Sequence, residues 1–170
     1  MTEEDQFDRL RRRIFWLMPS GIYVVGSRHN EQRNLMNLNW ATQVSMDPVR
    51  LGIGVKKSAF THQLIADGGC FTLNFLPRED RTLARKFVKP TAWNPEDSTL
   101  NGFAVFEAPS GAPVLECAVA YLDCQVWEAI DAGDHTFFIG DVNHGHLNSE
   151  NDENSPEVLR MEDTRMNYGG

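Results

Sequence analysis

The chain has 170 residues and a formal net charge of −8, with 41% hydrophobic and 24% charged residues. That length suits one domain able to bury a core without staples, and an acidic surface gains little by displacing counterions from nucleic acid, which excludes DNA and RNA as general partners. No apolar run reaches membrane-spanning length and no apolar signal core follows Met1, so a soluble, cytoplasmic protein without a membrane partner is expected.

Thr2 with Asp5 three residues on reads as a helix start. Phe7, Leu10, Ile14, Leu17 and Met18 then recur at helical spacing until Pro19-Ser20-Gly21 stops the helix. Arg9, Arg11, Arg12 and Arg13 read as its solvated face. From Gly21 the period changes to two. Strands are expected over Gly21–Arg28, Asn34–Met46, Leu51–Lys57 and Cys70–Leu76, with a hairpin turn at His29–Arg33 and a short helix at Thr61–Ala66 closed by Asp67-Gly68-Gly69. Pro77 suits a first helical turn, which predicts a helix over Arg78–Val88 burying Leu83, Ala84, Phe87 and Val88. Lys89–Leu100 reads as a loop, and Phe103–Phe106, Val114–Trp127 and Thr136–Leu147 as further strands. His146–Asp163 is polar, acidic and expected to be mobile, whereas Met166-Asn167-Tyr168-Gly169-Gly170 is less acidic and can dock back, leaving a domain over 1–147 and an acidic tail over 148–170 whose end returns to the barrel. Many short strands with a few helices argue for a mainly β barrel. The tryptophans Trp16, Trp40, Trp93 and Trp127 read as core or rim packing.

The three cysteines, Cys70, Cys117 and Cys124, are odd in number and form no Cys-x-x-Cys. Three buried thiols are expected rather than a disulfide framework or a thiolate zinc site. His144 and His146 share a strand face but make only half a metal site, so no metal is assigned.

The most informative stretch is Leu35–Met46. Met36, Leu38, Trp40, Thr42, Val44 and Met46 alternate with Asn37, Asn39, Ala41, Gln43 and Ser45, one greasy face and one neutral polar face. A sheet face open to water would explain the polar side. Uncharged amides beside small residues also suit a flat ligand with mixed donors and acceptors along its edge. Asn39 to Ser45 spans roughly 20 Å at ~3.3 Å per residue. Lys56, Lys57, Ser58 and Thr61 follow where a strand gives way to a helix. They form either a phosphate site at a helix N-terminus or a plain cap beside solvated lysines. Gly52-x-Gly54 lacks a third glycine and sits inside a strand, so it marks close backbone approach and not a dinucleotide fingerprint. No Gly-x-Ser-x-Gly elbow occurs, which excludes an α/β-hydrolase.

The chain resembles the flavin reductase-like family. The resemblance lies in Pro19-Ser20-Gly21-Ile22-Tyr23-Val24-Val25, Asn34–Pro48, Val55–Thr61, Phe71-Thr72-Leu73-Asn74-Phe75-Leu76, Leu83-Ala84-Arg85-Lys86-Phe87, Ala118–Val126 and Gly133-Asp134-His135 leading to Gly140-Asp141-Val142, in that order. It implies a mainly β, Greek-key split β-barrel of the FMN-binding type with a few short helices. It further implies a homodimer with flavin near the subunit interface: FMN, with FAD the alternative. The strand over Asn37, Asn39, Trp40, Ala41, Thr42 and Ser45 would line the flavin, largely through its backbone. Ser45 with Lys57, Ser58 and Thr61 would hold the phosphate. His135 would lie near the nicotinamide, and Tyr168 would cover the flavin from the C-terminal end.

The implied activity is hydride transfer from NADH or NADPH to flavin, with reduced flavin feeding a flavin-dependent monooxygenase partner. The flavin would accept the hydride while the protein binds and orients. His135 would position the nicotinamide; read without the resemblance it is a surface histidine in a Gly-Asp-His turn. Two other readings stand beside this one: a split-barrel oxidoreductase using another cofactor such as a deazaflavin, and a non-catalytic flavin- or haem-binding module. No arginine cluster can be tied to a 2′-phosphate, so NADH and NADPH both stand.

Overall fold

A computed structural model describes residues 2–148 and 155–169. Helix α1 (Glu3–Phe15) starts at a capping box. Thr2 Oγ1 accepts from the Asp5 amide at 3.1 Å, and the Thr2 amide donates to Asp5 Oδ2 at 2.8 Å. Asp8 pairs with Arg11 and Arg12, and acidic residues at the start with basic ones at the end match the helix dipole. Its apolar stripe does not enter the core as the spacing suggests. No residue of α1 is buried, and Phe7 stays 66% and Leu17 79% exposed, because the helix leaves the barrel instead of lying on it.

Strands β1 (Tyr23–His29), β2 (Gln32–Leu38), β3 (Ala41–Met46), β4 (Val49–Lys56), β5 (Cys70–Phe75), β10 (Ala120–Asp131) and β11 (His135–Leu147) form one antiparallel sheet. Four short strands, β6 (Trp93–Asn94), β7 (Thr99–Leu100), β8 (Phe103–Glu107) and β9 (Pro113–Leu115), form a second. Helix α2 (Phe60–Gly68) ends at Gly69, whose φ of 69° suits a residue without Cβ. The order in the large sheet is β2-β1-β5-β10-β11-β4-β3. The predicted strand over 34–46 is therefore two strands at opposite edges, joined only by Asn39 and Trp40. Six interstrand gaps would span about 29 Å if flat, whereas the three peptide units from Leu38 to Ala41 reach about 11 Å. The sheet must curl until its edges meet.

Closure sorts the alternating side chains into two cores. Val25, Leu38, Leu51, Ile53, Val55, Phe71, Leu73, Cys124 and Phe138 fill the barrel with Ile65 of α2. Val24, Leu35, Leu76, Leu100, Val105 and Leu115 form a second cluster outside it. Asn74 ties the layers together. Fully buried, it donates to the Val24 carbonyl (2.9 Å) and Thr72 Oγ1 (3.2 Å) and accepts from the Leu115 amide (2.9 Å).

Other segments depart from the sequence reading. Only Leu83–Phe87 turns, as a 3-10 helix, where a helix over 78–88 is predicted. Leu83, Ala84 and Phe87 are buried and Val88 is exposed, since burying three side chains needs only that one turn. The Val114–Trp127 strand is split between β9 and β10, and the 89–100 loop contains β6 and β7. After residue 155 the tail is docked. Val158 bridges Pro77, Arg160 bridges Gly21, and Leu159 is buried in the outer core, so apolar burial outweighs the acidic composition. The short helix α3 (Met161–Thr164) follows. Residues 149–154 of the predicted tail lie outside the described residues.

Cys70 and Cys124 are buried as expected, but Cys117 is exposed. Burial, with Asp123 and Asp141 adding, pushes the Cys124 thiol up to about 12. A bulky disulfide reagent at about pH 8 should therefore modify one thiol, Cys117, in the native protein and all three cysteines after denaturation. Replacing Asn74 by Ala removes three buried hydrogen bonds, although Thr72 keeps its own to the Pro113 carbonyl, and should cost about 3 kcal/mol in denaturant unfolding.

Candidate functional site

The seam where the barrel edges meet holds a cavity of about 310 Å³. Asn37 and Asn39 reach it from the end of β2 and its linker, and Gly54 and Lys56 from β4. Ala59 opens α2 beside them, and Met166, Asn167 and Tyr168 close it from the C-terminal tail. Among the described residues neither amide side chain has a hydrogen-bond partner, so both remain available to a ligand. Ala59, the N-cap of α2, supplies no side-chain cap, so amides of the first turn are likewise without a capping side chain. A larger cleft of about 530 Å³ lies at the far end of β10 and β11, lined mostly by apolar groups with Tyr121 and His146.

The β11–β4 ladder sets His135 opposite Lys56, and the Lys57 amide donates to the Asp134 carbonyl at 2.9 Å. The Gly133-Asp134-His135 turn therefore abuts the Lys56-Lys57-Ser58 turn, although the two are far apart in sequence. His135 is 9% exposed. Its Nδ1 lies 2.8 Å from Asp134 Oδ1 and its Nε2 3.0 Å from the Tyr168 hydroxyl. Burial, with the Asp134 charge adding, raises the Tyr168 phenol above its ordinary value and keeps its proton. In the neutral ring Nδ1–H therefore donates to Asp134, and Nε2 accepts from Tyr168. The hydrogen bond to His135 holds the Asp134 carboxyl below the ordinary range. Trp40, the linker residue, lies 4.6 Å from the His135 ring and 5.3 Å from that of Tyr168. It can lie so close to β4 because Gly54 has no side chain; a Cβ there would stand 3.1 Å from Trp40 Cε3.

Of the residues singled out from sequence, Asn37, Asn39, Lys56 and Tyr168 line the cavity, with Trp40 and His135 in contact with Tyr168. Lys57 and Ser58 are exposed at the adjoining turn, where Lys57 Nζ pairs with Asp131 at 2.8 Å. Ala41 and Thr42 begin the edge strand, and Thr42 is exposed with its hydroxyl on the Gln43 carbonyl. None of these four lines the cavity, and Thr61 and Ser45 are held away from it altogether. Thr61 is fully buried on the inner face of α2 with Leu64 and Ile65, and its hydroxyl accepts from Asn34 Nδ2 at 2.7 Å. Ser45 pairs with Arg50, six residues along β4 from Lys56. That is about 20 Å at the rise of a strand, so within one chain Ser45 and Lys57 cannot grip one phosphate. The greasy face of β3 is not core either. Val44 is 42% and Met46 83% exposed, because no described residue of the chain packs over the outer face of this edge strand.

Sequence reasoning missed Asp134 as the partner of His135, although the Gly-Asp-His turn contains it. It also missed Met161, and it placed Met166 and Asn167 only in a tail end that docks back, without tying them to Asn37. The tail that carries them is anchored by Arg78, which donates to Asp163 Oδ1 at 3.1 Å, and by Arg85, which donates to the Thr164 carbonyl at 2.6 Å. Arg78 holds the Asp163 carboxyl below its ordinary value. Such a group stabilises the docked tail above about pH 4 and loses that contribution as pH falls through the depressed value. Amide protection factors over Leu159–Thr164, taken relative to intrinsic exchange, should thus fall in acid, and Asp163→Asn should bring the lower protection to neutral pH.

The chain matches the family model described as flavin reductase like domain over residues 15–169. An NADH-dependent FAD reductase of Streptomyces globisporus is 34% identical over 139 residues, covering 81% of this chain and 76% of that protein. A protein of Nostoc sp. provisionally named diflavin flavoprotein A 1 is 29% identical over 129 residues, and the match spans only 22% of its length. Among solved structures, the Streptomyces globisporus NADH:FAD oxidoreductase SgcE6 in complex with NAD and FAD fragments superposes with a TM-score of 0.78 at 25% identity, over 100% of this chain and 96% of that one. An FMN-binding protein from Thermus thermophilus gives 0.70 at 25% identity, over 84% and 80%.

Proposed function

This chain belongs to the flavin reductase-like domain family, and on that footing we propose that it binds FMN or FAD at the barrel seam and reduces it with NADH or NADPH. The observation that carries the reading is one cavity bordered by two unpartnered amides, a lysine and the start of α2, with the His135–Tyr168 pair at its rim. The donor set fits a flavin. Asn37 and Asn39 can both donate and accept, as the mixed edge of an isoalloxazine requires. Lys56, Lys57 and Ser58, with the open amides of α2, suit a phosphate. The flavin, when bound, supplies the hydride-accepting ring. His135 orients the nicotinamide, Asp134 holds the imidazole in one tautomer, and Trp40 gives it a flat wall. The relatives support both flavins, one being an FAD reductase and another an FMN-binding protein.

The bare faces support a homodimer. Val44 and Met46 on β3 and the stripe of α1 are apolar surfaces without a cover among the described residues of their own chain. A second copy would cover them and bring its own β3 to the seam. Reduced flavin would pass to a flavin-dependent monooxygenase. Three unpaired cysteines suit the cytoplasm, and among the described residues no helix is long and apolar enough to cross a membrane.

Anaerobic bleaching of added FMN or FAD by NADH or NADPH tests the activity; flavin left oxidised by both donors would overturn it. Replacing Lys56 by Ala should weaken flavin binding about tenfold through one lost charge-assisted contact. Replacing His135 by Ala should lower kcat/KM for the dinucleotide about 10- to 100-fold while flavin affinity stays within about twofold.

A further inference from the structure

We infer that Met166–Gly169 is a strap over the His135 shelf, that Trp16 is the positioning residue that latches it, and that the strap cedes its place to the incoming nicotinamide. The last clause rests on the flavin reductase reading above; the latch does not.

The tail is firmly held as far as Thr164, which is 2% exposed. Arg165 then turns the backbone into the left-handed region at a φ of 55°, and the residues beyond it lie along the seam. Beyond the local bond from the Met166 amide to Thr164 Oγ1 at 3.1 Å, two side-chain hydrogen bonds tether that last stretch to other elements among the described residues. The Tyr168 hydroxyl donates to His135 Nε2 at 3.0 Å. At the other end the Trp16 indole Nε1–H donates to the Gly169 carbonyl at 3.0 Å. Gly169 itself rests on Trp40 with a φ of 81°, and a Cβ there would stand 2.7 Å from Trp40 Cζ2. Each ordinary hydrogen bond shifts an equilibrium about two- to tenfold, enough to favour the closed strap and little enough for a ligand to displace it. The displacing group must be a planar ring that can lie on Trp40 and carries an N–H donor for His135 Nε2. A nicotinamide carboxamide has both features.

Trp16→Phe keeps an aromatic ring and deletes the donor. Gly169→Ala dislodges the same carbonyl by a different route. In flavin-free protein both variants should speed backbone amide exchange over residues 166–169 about two- to tenfold, leaving Leu159–Thr164 unchanged. In flavin-saturated protein both should lower KM for the dinucleotide by a similar factor with kcat unchanged. Unchanged exchange in both variants would overturn the latch. Faster exchange with an unchanged KM would overturn the competition. Absence of flavin binding in every variant would instead overturn the activity reading, and the exchange measurement would still decide the latch.

Discussion

The two-residue link between β2 and β3 is the constraint on which the rest of the structure depends. It joins the edges of a sheet far wider than the link is long, so the sheet has to close. Closure directs Val25, Ile53, Phe71 and Phe138 into one interior. It also creates a seam where two strand edges meet without pairing to each other. The cavity lies at that seam, and its residues come from both sides: Asn37 and Asn39 from one edge, Gly54 and Lys56 from the strand next to the other. Fold and site are thus products of the same short connection, with Trp40 inside it.

The seam also gathers local cations in an acidic molecule. A chain with a net charge of −8 repels anions at long range. Lys56 and Lys57 stand at the start of α2, where backbone amides add to their field. Both chain ends meet here as well, through the indole of Trp16 and the carbonyl of Gly169. The tail arrives only because Leu159 is buried and Arg78 and Arg85 hold Asp163 and Thr164. Docking of residues 155–163 is a matter of packing, where an acidic composition points the other way; only the less acidic end from Met166 on reads as able to dock.

Much of the architecture was legible because local rules and tertiary demands agree in it. Thr2 and Asp5 make the capping box their spacing suggests, Gly69 ends α2, and strands β1, β4, β5, β8 and β11 fall where period-two runs and turn residues put them. The close approaches marked by Gly52 and Gly54 are those of Phe137 and Trp40. Legibility failed where a segment's partner lies far along the chain. Nothing local in 34–46 reveals a break at Asn39, since both halves alternate in the same phase and only closure separates them. Thr61 looks like a phosphate donor in one dimension, but the three- and four-residue steps to Leu64 and Ile65 turn it inward.

From the amino-acid order alone came the mainly β class, the neutral amides on one strand face, the lysine-rich approach to a short helix and the Gly-Asp-His turn. Each depends on residues within a few positions of one another, and periodicity and turn chemistry act over that range. Only the tertiary structure decided which of those residues meet. The β11–β4 ladder set His135 beside Lys56, strand rise put Ser45 about 20 Å from it, and a docked tail brought Tyr168 onto the imidazole. Contacts between residues so distant in sequence are selected by burial and register across the whole barrel, which no local pattern encodes.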